Sequence, residues 1–363
     1  MKDVIKIKYE VANEKDGIEA YKSYTGKKVG ILISSIILMF ILSVIAINAG
    51  STNLKFSEIF KSIIGHGTVS SNVVVLSIRL PRVIAAIIAG AGLSVSGCVM
   101  QNNLRNPLAS PATLGISNAA AFGANLAIII FGAGSFRSLS ADAVIINNPY
   151  IVTLSAFVLS MLATIVILLL AKLKSFAPQS IILAGVALGS LFSAGITLIQ
   201  YFADDVQVAA AVFWTFGDLG RVSWNEVFIM FIIIGIALIY FMFKRWDYNA
   251  LDSGQEVAKS LGVNVERVRF GGMFVSSLIT AVSVSFLGII GFIGLISPQI
   301  VRRIIGGDHR FLIPISAICG SIILLFADTL ARTIIAPVIL PVGAITSFLG
   351  APLFLYLLIR GQK

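Results

Sequence analysis

Histidine and cysteine are almost missing from this chain, with two of each in 363 residues. His66 and His309 stand in polar loops, and Cys98 and Cys319 lie inside apolar runs. There is no Cys-x-x-Cys and no His-Glu-x-x-His spacing. These gaps exclude a His-based catalytic centre and the usual zinc sites. No Gly-x-x-x-x-Gly-Lys-Ser/Thr segment occurs, so the chain has no phosphate loop with which to hydrolyse a nucleotide. Charge is sparse as well, at 12% where soluble domains carry about 25%. No polar cluster suggests a polytopic membrane enzyme, and carboxylate chains for a proton relay are lacking. Neither catalytic nor metal-binding residues are expected, nor a cofactor held by this chain. The two cysteines read as small core residues.

What is present is hydrophobic, at 57%. About 20 apolar residues span the hydrocarbon core of a bilayer, and such runs recur along most of the length. The expected fold is an all-α integral membrane bundle of ten helices, at 29–48, 81–101, 113–131, 150–171, 179–201, 224–243, 270–290, 292–305, 311–331 and 342–359. The eighth is short and rich in Gly and Pro, which suits a partly re-entrant segment enclosed by protein. Residues 1–28 are polar and mixed in charge, too long a lead for a signal peptide. They read as a cytoplasmic tail, with 29–363 forming the membrane domain.

Cations set the orientation. With the amino terminus inside and spans alternating, 20 of the 27 Lys and Arg fall on the inner side. That count includes Lys174, Arg360 and Lys363, whereas Arg137 is among the outer cations. Both termini therefore belong in the cytoplasm. The net charge of +10 comes from cations at the ends of apolar runs. It forms no basic stripe with interleaved aromatics, so nucleic acid is not an expected partner.

Four features could carry function. The first is the longest inner island, Lys244 to Arg269. There Ser253 and Glu256 have capping-box spacing, Lys259 suits the last turn and Gly262 a left-handed stop. The spacing predicts a two-turn helix over 253–261 with Val257, Ala258 and Leu261 on one side. So short a helix is marginal alone, and it could pack on its own protein or dock into another's groove. Second, Arg79-Leu-Pro-Arg82 precedes the second span, with Pro81 fit for a first helical turn. Its arginines would stand at the outer water line, either snorkelling or gripping carboxylates. Third, Asp328 and Arg332 are spaced for an i,i+4 ion pair. Fourth, Gly185, Gly189 and Ser193 repeat every four residues on the fifth span, and Gly90 and Gly92 lie on the second. Such residues allow close helix packing or line a wide pathway.

Taken together, the ordered blocks resemble the permease subunits of ABC importers for iron-siderophores, haem and cobalamin. They are Arg79-Leu-Pro-Arg82; Gly97 to Gln101 with Arg105-Asn-Pro-Leu108; Leu114-Gly-Ile-Ser117; Trp214-x-x-Gly217; Asn249-Ala-Leu251; and Glu256 to Gly262. Gly291 to Pro298, Arg302, Gly306 to Arg310, Asp328 to Arg332, Leu340-Pro-Val-Gly343 and Gly350-Ala-Pro352 complete the series. The resemblance implies a multi-pass permease of the prokaryotic cell membrane that pairs with a second permease subunit, as homo- or heterodimer. Two cytoplasmic ATPases, which bind ATP and Mg, would dock below, and an extracytoplasmic substrate-binding protein above.

The coupling helix of the family matches 253–261, giving Ser253, Glu256, Val257, Ala258, Lys259, Leu261 and Gly262 an ATPase-coupling role. Its docking arginines match Arg79, Arg82 and Arg332, and its pathway-facing spans carry Gly90, Gly92, Gly185 and Gly189. The implied cargo is a metal chelate, a ferric siderophore first, with haem or cobalamin as alternatives. A rival of another class is an ATP-independent secondary transporter or channel. One position departs from the pattern: Gln299 stands where members usually have His, and an amide hydrogen-bonds without protonating near neutrality.

Overall fold

A computed structural model describes residues 2–50, 54–133, 148–173 and 177–359. Arg137, Lys174, Arg360 and Lys363, used for orientation, lie outside them. Among the described residues every regular element is helical. In chain order these are α1 (Lys2–Asn48), α2 (Phe56–Ile63), α3 (Val69–Asn72), α4 (Leu80–Asn103), α5 (Ile116–Asn125), α6 (Pro149–Leu173), α7 (Pro178–Tyr201) and α8 (Asp205–Thr215). Then come α9 (Trp224–Phe243), α10 (Arg245–Asp252), α11 (Gln255–Ser260), α12 (Val265–Leu287), α13 (Ile293–Ile305), α14 (His309–Thr333) and α15 (Val342–Ile359).

All ten expected spans are there. Among the described residues seven helices are long and apolar enough to cross a membrane, and Ile116–Ile130 and Val342–Tyr356 are shorter apolar helices. The eighth span, α13, has 13 residues, roughly 20 Å at 1.5 Å per residue, which is too short for a core of about 30 Å. Residues 288–292 ahead of it are not helical. Their backbone is enclosed by other loops: Leu287 O accepts from Asp218 N at 2.8 Å, and a side chain on Gly217 or Gly343 would strike Ile289 O. Irregular backbone is thus confined to where protein surrounds it.

Four elements were not anticipated. α2, α3 and α8 lie outside the ten spans, and α10 precedes the expected coupling helix. Pro81 also does not begin a helix. A seven-residue π-helical stretch, Val73–Arg79, leads directly into α4, so Val69–Asn103 forms one continuous 35-residue run. The wider turn bonds Leu80 N to Val75 O, five residues back, and so accommodates a proline that has no N–H of its own.

α4 is the central post, the most enclosed of the seven spans. Small residues let its neighbours reach its backbone. A Cβ on Gly97 would stand 1.8 Å from Gly294 O of α13, and one on Gly90 would stand 2.5 Å from Gly320 O of α14. This is close packing of the small-residue kind that replaces the hydrophobic effect inside lipid. Hydroxyls add polar ties: Ser94 Oγ and Ser297 Oγ both donate to Ser316 O, at 2.6 and 3.0 Å. By contrast α1 and α7 are peripheral, with large apolar side chains such as Phe40, Leu183 and Leu191 exposed, as lipid-facing or partner-facing helices should be.

Candidate functional site

Tertiary contacts sort the helix ends into two faces. The end of α1, the start of α4, the turn before α9 and the end of α14 meet at one face through Arg79, Arg82, Asp218, Asp328 and Arg332. The end of α4, α10 and the start of α14 meet at the other through Asn102, Tyr248, Asn249 and Asp308. Tyr21, near the start of the first span, lies on that second face, where its hydroxyl accepts from Arg310 Nη1 at 3.1 Å. The alternation is the one the cation count requires, with the second face inside.

On the outer face the three arginines expected to receive a binding protein lie below the water line. Arg79, Arg82 and Arg332 are buried to 4%, 4% and 8% exposure. Arg79 Nη1 donates to Ile47 O and Asn48 O at 2.9 and 3.0 Å, closing the open carbonyl end of α1. Arg332 does likewise at Ala46 O and Ala49 O. Between them Asp328, fully buried, accepts from Arg82 Nε at 2.8 Å and from Arg332 Nε at 3.1 Å. Arg82 also lies 3.3 Å from Asp218. The expected i,i+4 pair is present, and the three arginines form an interior knot tying α1, α4 and α14. Burial without a partner would be prohibitive for these charges, which is why they turn inward onto carbonyls and carboxylates.

On the inner face lies α11, but one residue later than the spacing indicated. Gly254 is its N-cap, at φ 130, with no side-chain cap. Ser253 instead ends α10 in an αR conformation, and its Oγ lies 3.5 Å from Asn249 O. The Ser253–Glu256 capping box is therefore not formed, and Glu256 pairs with Lys259 at 3.2 Å across an exposed surface, a contact worth little. Gly262 is the left-handed stop, at φ 81. The three apolar residues do not share a side: Ala258 is fully buried, while Val257 and Leu261 are 45% and 67% exposed.

α10 explains how so short a helix is held. Asn102 Nδ2, at the end of α4, donates to Asp252 Oδ1 at 2.6 Å and to Tyr248 O at 3.2 Å. Arg105 Nη2 donates to Leu251 O at 3.0 Å. Asn249 Nδ2 donates to Asp308 Oδ1 at 3.0 Å, and Asn249 Oδ1 accepts from His309 N at 2.7 Å. Burial alone would raise the Asp308 carboxyl, yet the hydrogen bonds from Arg310 and Asn249 outweigh it and hold it at about 2. The Arg310 guanidinium also stacks over Trp246 of α10, 5.0 Å from the ring centroid. A load on α11 therefore has a bonded route to α4 and α14. No role was assigned to Asn249 from sequence, although it stood in a quoted block; its partner Asp308 is 59 positions away.

The small residues divide. Gly185 and Gly189 line an open groove of about 310 Å³ between α7 and the 112–118 segment, with Val186, Ser190 and Ser193 on its wall. Gly185 also packs, since a Cβ there would come 2.7 Å from Leu114 Cα. Gly90 and Gly92 are buried inside the bundle against Gly320 and against Ile279 and Ile234. Their place is in helix packing and not on a pathway wall. Gln299 Nε2 donates to Gln101 Oε1 at 2.9 Å, a bond that an amide makes without protonation.

The geometry is thus a bundle of membrane-length apolar helices with a short helix buttressed on its inner face. The FecCD transport family profile matches residues 37–360, and the chain belongs to this family of ABC importer permeases of the prokaryotic cell membrane. It is 57% identical over 345 residues to a protein of Methanocaldococcus jannaschii named as an ABC transporter permease, covering 95% of this chain and 98% of that one. It is 37% identical to the Fe(3+)-citrate import system permease YfmE of Bacillus subtilis, covering 90% and 94%. It is 35% identical to the hemin transport permease HmuU of Yersinia pestis, covering 90% and 95%. A solved structure described as an inward-facing metal-chelate type ABC transporter superposes with a TM-score of 0.77 at 29% identity, covering 92% of this chain and 100% of that one.

Proposed function

We propose that this permease carries a metal chelate, of the ferric siderophore class, into the cytoplasm. A separate pair of ATPase subunits would bind ATP and Mg and do the hydrolysis. The observation that carries the reading is α11: an exposed apolar tip, Val257 and Leu261, bolted through α10 to the inner ends of α4 and α14. The tip seats in an ATPase groove, and nucleotide-driven closure below shifts the helices it is bonded to. Such coupling requires only that the partner bind the two states of the permease unequally.

The relatives named for Fe(3+)-citrate and hemin transport support an iron chelate as cargo, haem being the second reading and cobalamin a third. An extracytoplasmic binding protein delivers the chelate above the outer knot. There Arg79, Arg82 and Arg332 act from beneath the surface, holding the ends of α1, α4 and α14 in the arrangement that protein meets. The groove beside Gly185 and Gly189 becomes half of the pathway once a second permease subunit faces it.

The test is reconstitution in liposomes with the cognate ATPase and binding protein. Uptake of labelled ferric chelate that requires ATP and all three components is the expected result. Uptake by the purified chain alone without ATP would instead establish a secondary transporter or channel.

A further inference from the structure

On the outer side, the connection from α1 to α4 carries an eight-residue helix, α2, that the transport mechanism leaves unused. So short a helix is marginal alone, yet its orientation is fixed. Lys55 N donates to Glu58 Oε2 at 3.2 Å, closing the first turn. Ser62 Oγ donates to Ser71 Oγ at 2.8 Å, joining the last turn to α3, and both serines are buried. Ile59 is buried as well, and α2 packs against α1, α3 and the Val73–Arg79 stretch. What these contacts leave open is apolar. Phe56, Phe60 and Ile63, spaced i, i+4 and i+7, form one stripe, and they are 62%, 58% and 49% exposed. Ser57, Glu58 and Lys61 take the other side, also exposed. Two phenylalanines and an isoleucine on one short helix need a cover.

The depth of α2 identifies that cover. Arg79 bonds the carbonyl end of α1 at Ile47 and Asn48, so the Val73–Arg79 stretch rises outward from the end of the first span. Leu76 O, midway along it, accepts from Trp224 Nε1 at 2.8 Å, while the Trp224 ring is partly exposed. A tryptophan with its N–H paired and its ring open marks the membrane–water boundary. Seven residues climb at most roughly 10 Å, and the headgroup layer is about 5–7 Å deep on each side of the hydrocarbon. α2 packs on this stretch and on α1, whose Phe40, Ile41 and Ile45 are exposed along its outer half. The stripe thus adjoins the lipid side of the first span at headgroup depth. Charge agrees: exposed Lys55 and Lys61 border α2, and its one carboxylate, Glu58, is engaged by Lys55 N. Cations beside an apolar stripe suit phosphate headgroups above acyl chains.

We propose that α2 is an interfacial anchor in the outer leaflet. Phe56, Phe60 and Ile63 enter the boundary of headgroups and acyl chains of phospholipid, and Ser57, Glu58 and Lys61 look to water. The anchor sets the depth of the outer ends of α1 and α4, between which α2 is strung, and closes this flank to a binding protein. It depends neither on the cargo nor on coupling to an ATPase.

The test is the collision of a nitroxide label with oxygen, which concentrates in acyl chains, and with a water-soluble nickel chelate. Phe56→Cys, Phe60→Cys, Ile63→Cys, Ser57→Cys and Lys61→Cys would each be labelled in a full-length chain free of Cys98 and Cys319, in phosphatidylcholine nanodiscs. Ile45→Cys on α1 supplies the lipid reference. The oxygen-to-nickel ratio should be several-fold higher at the three stripe positions than at Ser57 and Lys61, and should approach that of Ile45. All five side chains on α2 are exposed, so the fold should tolerate the labels, and each stripe position tests the proposal independently. Nickel access at the stripe equal to that at Ser57 and Lys61 overturns it, since the stripe then faces water. Shielding from both reagents overturns it as well. Present in the discs alone, that shielding assigns the stripe to a second copy of this chain; developing only when the cognate binding protein is added, it assigns the stripe to that protein.

Discussion

Asp328 is the one carboxylate between two buried guanidiniums, so its charge is the least replaceable in the outer half. Asp328→Asn leaves Arg332 in the interior without its counter-ion and Arg82 with only the partly exposed Asp218, 3.3 Å away. The expected loss is about 3–5 kcal/mol, measured by thermal unfolding in detergent, and a change below 1 kcal/mol would mean the knot is hydrated. Asp328–Arg332 could be read from the sequence because it is local. Arg82–Asp328 could not, since 246 positions separate the partners and hydropathy treats each run alone. The same blindness put Arg79 and Arg82 at the water line. At the inner face Asp308 gives a pH signature. Its carboxyl is held at about 2, below the ordinary 3.8, so its contribution is complete above 3.8 and is lost as pH falls through 2. In a chain whose sole tryptophan is Trp246, fluorescence at the α10–α14 junction should hold steady from neutrality to about pH 4 and change below it. Asp308→Asn should flatten that change.

At the scale of elements, substitutions in α11 should separate the proposed coupling from folding. Val257→Asp or Leu261→Asp alters exposed side chains, so the chain should fold, retain its thermal midpoint and lose ATP-driven uptake. Ala258→Asp puts a charge at a fully buried position and should destabilise the chain before transport is assayed. If Val257→Asp leaves both ATPase binding and uptake intact, α11 is not the coupling element. Within α4, Gly97→Ala should prevent α13 from seating, since the added methyl meets backbone at 1.8 Å and backbone cannot swing aside. Gly189→Ala meets the Asn118 amide at 3.2 Å and Gly115 Cα at an ordinary contact distance of 3.5 Å and should fold. Length and hydropathy alone were enough to mark the ten spans. α2, α3, α8 and α10 were illegible because each is short, with too few residues to establish a period. The start of α11 was misplaced because Ser253 and Gly254 both serve as N-caps locally. The choice was made by α10, which claims Ser253 for its own last turn.

At the scale of the molecule, α7 is a long apolar helix packed on one side only, with a groove beside its Gly185, Gly189 and Ser190 stripe. A second permease subunit would convert that groove into an enclosed route. In a background free of Cys98 and Cys319, a single Ser190→Cys should form an oxidant-dependent dimer on a denaturing gel. Failure to cross-link at Val186, Ser190 and Ser193 alike would place the pathway on another helix.

The 1–28 segment was set apart from the first span by its polarity, yet α1 is one helix from Lys2 to Asn48. It is fastened to the inner face where Arg310 meets Tyr21. About 27 residues of it precede the apolar run, a rod of up to roughly 40 Å on the face where the proposed ATPase subunits would dock. Anything fused ahead of Lys2 is therefore delivered to that face on a stiff arm. An amino-terminal fluorescent protein should obstruct assembly even though the transporter inserts normally, and a flexible linker cut into the arm below Tyr21 should relieve it.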